Sequence, residues 1–131
     1  MENEILTVKA IIEILGYPKE HVQETMNRVV EIVKKDYKLE DSKIHEPKEL
    51  DKFWSTFVEL ELKIKKIDDL IGFCFDFMPS SIEIVEPSRL NVKTSEIANL
   101  FNDLLARLHQ YDMIVKNLSA QNKLLQEEKK K

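Results

Sequence analysis

Apolar and polar residues alternate at the start of the chain. Val8, Ala10, Ile12 and Ile14 fall on one side and Thr7, Lys9, Ile11 and Glu13 on the other, a period of two that predicts a half-buried strand over residues 5–15. Gly16 closes that strand. Behind Pro18, which suits a first helical turn, Val22, Met26, Val29, Val30 and Val33 recur at steps of three and four, predicting an amphipathic helix to about Asp36. Tyr37 to Leu50 is polar and interrupted by Pro47, so it is given only a short edge strand over 38–46. The clearest alternation follows over 53–65, with Trp54, Thr56, Val58, Leu60, Leu62 and Ile64 set against Ser55, Phe57, Glu59, Glu61, Lys63 and Lys65. This strand is expected at the centre of a sheet. Asp68 is expected to cap a helix presenting Ile67, Leu70, Ile71, Cys74, Phe75 and Met78, which Pro79 terminates. Ser81 to Val85 alternates again with Ile82 and Ile84 inward. Pro87 and Ser88 break this strand, Leu90 and Val92 extend it irregularly, and Thr94 or Ser95 caps a long final helix.

The order strand, helix, strand, strand, helix, strand, helix predicts the α+β class. Over residues 5 to 92 it resembles the ferredoxin-like βαββαβ sandwich, in which two helices cover one face of a four-stranded antiparallel sheet, here with a long C-terminal helix appended. Residues 1–93 are read as the α+β domain and 94–131 as a docking and coiled-coil helix. The run Phe73-Cys74-Phe75-Asp76-Phe77-Met78-Pro79-Ser80-Ser81-Ile82-Glu83-Ile84 resembles small uncharacterised archaeal proteins, a resemblance that implies no activity.

The final helix carries an assembly signal. Ile97, Phe101, Leu104, Leu108, Tyr111, Val115, Leu118, Asn122 and Leu125 are spaced four and three residues apart, a heptad seam with Phe101, Leu108, Val115 and Asn122 at a and the others at d. A lone Asn at a favours a parallel, in-register dimer at some cost in stability. Around 97–108 the apolar arc is wider than a strict seam, as in a helix that docks on a domain, and from Val115 onward it narrows, as in a helix that projects. The self-association residues are therefore expected to be Tyr111, Val115, Leu118, Asn122 and Leu125. The flanking e positions Asp112, Ser119 and Gln126 and g positions Ile114, Gln121 and Glu128 show no complementary charges. An alternative is a helix end that packs on a neighbouring subunit's sheet. On the sheet face away from the helices, Ile11, Phe57 and Val85 form an apolar centre among Lys9, Glu13, Glu59, Glu61 and Glu83, a second candidate interface unless the chain's own helix covers it.

Composition narrows the function. A net charge of −4 with 34% charged residues is the wrong balance for gripping phosphate backbones, and nucleic acid is not an expected partner. Trp54, Phe53 and Phe57 bring to mind the aromatic platform of RNA-recognition domains of the same fold, but Trp54 points inward and Phe57 is bordered by Glu59 and Glu61. One cysteine, Cys74, excludes an internal disulfide, and neither a signal segment nor a membrane span is evident, so a soluble cytoplasmic protein is expected. No His, Cys or carboxylate set shows metal-ligand spacing, and the adjacent pairs His45-Glu46 and Asp68-Asp69 point apart on regular elements. Cys74 lies on an apolar stripe. Ser80-Ser81 lacks the glycines of a nucleophile elbow, and two glycines cannot build a phosphate-cradling loop. No cofactor, metal or catalytic residue is expected.

These readings converge on a non-enzymatic interaction or assembly module that forms a homodimer or binds a different protein. The alternative is an ACT-like regulatory domain. Its resemblance in element order implies a small-ligand site at the first strand-to-helix loop, where Gly16, Tyr17 and Lys19 would be the contacts.

Overall fold

The computed structural model describes residues 5–130. Its elements are β1 (Leu6–Gly16), α1 (Lys19–Asp36), β2 (Lys38–Ile44), β3 (Lys48–Leu50), β4 (Phe53–Ile64), α2 (Ile67–Phe77), β5 (Ser81–Glu86) and α3 (Thr94–Lys129). The chain divides into two compact units between Asn91 and Val92.

The first unit is an antiparallel sheet in the order β2-β4-β1-β5, with β3 also paired to β4. The α+β class and the inner position of the 53–64 strand are as expected. β4 lies between β1 and the β2 edge because its inward side is a run of buried apolar residues from Val58 to Ile64. Val58, Leu60, Leu62 and Ile64 face Ile12, Ala10, Val8 and Leu6 across the ladder, and all eight are buried. Val22, Met26, Val30 and Val33 of α1 and Leu70 and Phe73 of α2 close the core over that side. Tyr37 meets Phe73 edge to face at 5.3 Å, a geometry that aromatic quadrupoles favour.

Several boundaries differ from expectation, each for a local reason. Pro18 is the N-cap of α1, not its first helical residue, and its carbonyl accepts the Val22 N–H at 3.2 Å. Asp68 does not cap α2. Lys66 occupies the cap, its carbonyl accepting from the Asp69 and Leu70 N–H groups, while Asp68 and Asp69 sit in the first turn, where the helix dipole favours carboxylates. α2 ends as Met78 turns left-handed at φ 47°, its N–H donating to the Cys74 carbonyl. Ser80 then ties the chain to β1, its N–H donating to the Ile11 carbonyl at 2.7 Å, which accounts for the Ser80-Ser81 pair as a strand entry. β2 stops at Ile44. The unforeseen β3 joins β4 through Asp51-Lys52, with Asp51 at φ 57°, a conformation Asp tolerates better than most residues. Leu90 and Val92 do not extend β5, which ends at Glu86 before Pro87.

The second unit is dominated by α3, 36 residues and about 54 Å long. Neither Thr94 nor Ser95 caps it. Lys93 does, and the Glu96 carboxylate reaches back to accept the Lys93 N–H at 3.4 Å. None of the residues of α3 is buried.

Candidate functional site

All five self-association candidates lie on α3, and Tyr111, Val115, Leu118 and Leu125 are among its exposed large apolar side chains, with Ile97, Phe101 and Leu108 upstream. A strict seven-residue repeat drifts by roughly 20° per heptad around a straight helix, so the Ile97-to-Leu125 seam winds slowly and would face one partner only in a left-handed supercoil. Within α3, Asp112 accepts a hydrogen-bonded ion pair from Lys116 one turn later at 2.9 Å. Met113, Ile114 and Leu124 are exposed off the seam. An apolar stripe this long is unusual on a free surface.

The sheet surface turned away from α1 and α2 is rearranged relative to expectation. Ile11 pairs with Glu59, and Glu13 with Phe57, so Ile11 and Phe57 are diagonal neighbours on the central strands. Val85 does not join them. Its neighbour Glu86 pairs with Thr7, and Ile11 pairs with Ser81, which separates Val85 from Ile11 by about 13 Å along the ladder. The apolar surface grows in the other direction instead. Leu15 opposite Ser55, and Leu50 opposite Phe53, add three exposed large side chains near the β3–β4 hairpin.

A feature of this face not anticipated from sequence is built on His45. The residue follows β2, its N–H donates to the Phe57 carbonyl at 2.9 Å, and its ring stacks on Phe57 with centroids 4.0 Å apart. Its Nε2 lies 2.7 Å from Glu59 Oε2. The hydrogen bond from His45 is the main cause holding the Glu59 carboxyl below its usual range, with Lys43 and Lys9 adding smaller attractions against the cost of desolvation. The Thr56 hydroxyl, buried on the opposite side of β4, donates to the His45 carbonyl at 2.6 Å and fixes the backbone there. In the sequence His45 falls inside the edge strand expected over 38–46, and nothing local points to Phe57 or Glu59.

At the β1–α1 corner Tyr17 is exposed, while the Lys19 ammonium lies 5.2 Å from the centre of the Trp54 ring and is engaged by it. Gly16 is close to α1: a Cβ there would come within 3.3 Å of Val22. Gly16 and Lys19 thus have structural neighbours of their own. A cavity of 480 Å³ opens elsewhere in this unit, between α1 and the segment after β2. Glu20, Glu24 and Glu46 line it together with Gln23, Asn27 and Thr56, an acidic wall that disfavours anionic ligands.

The other candidate chemistry stays dispersed. His21 lies on α1 and His109 on α3, and no group of three His, Cys, Asp or Glu residues able to hold a metal ion is found among the described residues. Cys74 is half-buried beside the core, and desolvation raises its thiol pKa above the ordinary value, which suppresses the reactive thiolate. No helix of the described residues is long and apolar enough to cross a membrane.

The chain belongs to the MJ0538 family, named for an archaeal protein, whose model matches residues 7–131. The match includes the 73–84 run that resembles archaeal proteins. No curated protein and no solved structure matches the chain.

Proposed function

We propose that this MJ0538-family protein is a non-enzymatic assembly module, a small α+β domain that self-associates through the seam of α3. The observation that carries the reading is the apolar heptad stripe on a helix that buries none of its residues. A helix gains little from intrinsic propensity and depends on covering its apolar face. Leu118 and Leu125 would supply much of the association energy, each about 1.5–3 kcal/mol if fully buried. The face carrying Ile11, Phe57, Leu15, Leu50 and Phe53 offers a second contact surface, rimmed by Lys9, Glu13 and Glu59. The surroundings of Lys19 and Trp54 do not favour the small-ligand alternative.

The test is the solution mass of the full chain by light scattering across a concentration series, with Leu118→Glu beside it. A dimer that becomes a monomer in the variant supports the reading. A chain that stays monomeric throughout, or a variant with unchanged mass, overturns it.

A further inference from the structure

We infer that the occupant of the α3 seam is a second copy of this chain, parallel and in register, and that Arg107 and Asp112 are the pair that selects it. The inference rests on the assembly reading above and specifies its partner. In the heptad frame Arg107 is a g position and Asp112 the e position five residues later. In a parallel pair, each g residue flanks the e residue of the next heptad on the partner helix. Arg107 therefore meets Asp112 of the second copy, twice by symmetry. Asp112 already accepts Lys116 from its own helix at 2.9 Å, and a carboxylate has acceptor sites for both.

The remaining flanking pairs are compatible with this arrangement. Leu100 would meet Leu105, Ile114 would meet Ser119, and Gln121 would meet Gln126, whose amides are mutually complementary. No like charges are brought together. In the seam, Asn122 meets Asn122 between the Leu118 and Leu125 layers, and each amide has a partner.

Other arrangements of two copies lose these matches. Sliding one helix by a heptad sets Asn122 against Val115 and moves Arg107 opposite Leu105 or Ser119. An antiparallel pair centred on Tyr111 brings e against e and g against g. It sets Asp112 near the other Asp112, Arg107 near Ile114, and Asn122 against the apolar turn around Phe101. A different protein would need a matching acid and amide at the same spacing, whereas a second copy has both.

Two experiments on the full chain test this. Mixing Arg107→Glu with Asp112→Arg restores two opposite-charge contacts in the mixed dimer and leaves two like-charge contacts in each pure one. The mixed species, counted by native mass spectrometry, should rise from the statistical half to about nine-tenths. In a Cys74→Ala background, Leu118→Cys should form a covalent dimer on oxidation. In an antiparallel pair the two positions would lie about 20 Å apart, beyond the reach of a disulfide.

A statistical mixture, or cross-linking of Leu118→Cys only with an a-position cysteine such as Leu108→Cys, overturns the parallel pairing while leaving self-association standing. A wild-type chain that is monomeric at every concentration overturns both.

Discussion

Shortening Leu118 to Ala separates a seam from a merely greasy helix, because α3 provides its own control. Leu118 is 58% exposed on the single chain and Leu124 is 62% exposed, yet only Leu118 lies on the heptad stripe. Full burial of a Leu is worth about 1.5–3 kcal/mol, so covering the exposed part of Leu118 contributes roughly 1–1.7 kcal/mol per chain. A symmetric dimer contains the residue twice, and Leu118→Ala should cost about 2–3.5 kcal/mol of association, a rise in Kd of roughly 30- to 400-fold. The Cβ that Ala retains favours the lower half of that range. Helix propensity does not confound the comparison, since Ala is at least as good a helix former as Leu and both variants make the same exchange. Sedimentation equilibrium on full-length wild type, Leu118→Ala and Leu124→Ala at equal ionic strength reads the three constants directly. Leu124→Ala should leave Kd within about twofold, since a surface change away from such contacts is small. Equal weakening by both variants, or no weakening by Leu118→Ala, would refute the seam.

Replacing Asn122 with Ile should tighten association while broadening the mass distribution toward higher oligomers, read by light scattering; an unchanged narrow dimer of unchanged stability would count against a buried amide. Phe73 is 0% exposed, and Phe73→Ala should remove about 3–5 kcal/mol and lower the melting temperature by roughly 12 °C or more. A small shift in a circular-dichroism melt would mean that this packing was misassigned. NMR titration should find the Glu59 carboxyl below 4.5, returning toward that value in His45→Ala. Because the folded value is depressed, the linked stability is present above the unfolded pKa and is lost as pH falls through the folded one, so the two proteins should converge in stability in acid. A Glu59 value unmoved by His45→Ala would exclude that hydrogen bond as the cause. The Cys74 thiol should react slowly with Ellman's reagent in the folded chain at pH 8 and completely after denaturation; rapid reaction of the folded form would contradict its desolvation.

Most of the sheet was legible because burial follows a simple period. Leu6, Val8, Ala10 and Ile12 face the core while Lys9 and Glu13 face out, and β4 repeats the pattern over twelve residues. β3 escaped because all three of its residues are exposed and it has no buried face to create an alternation. Its signal was the two-residue connection Asp51-Lys52 before an aromatic strand, which is weaker without glycine. The helix starts were misjudged for a common reason. The cap preference points to Asp, Thr and Ser, yet Lys66 and Lys93 hold those positions, with extended backbone and no oxygen in the side chain to accept an N–H. The His45–Glu59 contact needs the β2–β4 register, in which Lys43 pairs with Glu59 and Ile44 with Val58, and this depends on a shift between Leu39 and Asp41 that no local pattern encodes. Alternation alone puts Val85 on the same face as Ile11. The irregularity at Thr7 and Val8, and the distance along β5, divide them.

The candidate assembly helix was legible for the opposite reason. Its heptads are local, and a period of 3.5 picks out an apolar stripe without knowledge of any fold. The choice of partner was less visible, because selection depends on pairs that do not meet within one helix. Beyond Tyr111 the e and g positions show no complementary charges. Extending the frame one heptad earlier adds Arg107, and Asp112 then acquires an opposite charge at the parallel spacing. In the proposed dimer the apolar residues would supply most of the affinity, while one charge pair and one amide would exclude competing orientations. A charged pair at the rim of a helical interface contributes little energy on its own, and that makes it suited to selecting among dimers that bury similar apolar area. For a chain with few other polar groups along the seam, Asp112 and Asn122 are the two side chains whose environment differs most between a parallel and an antiparallel pair.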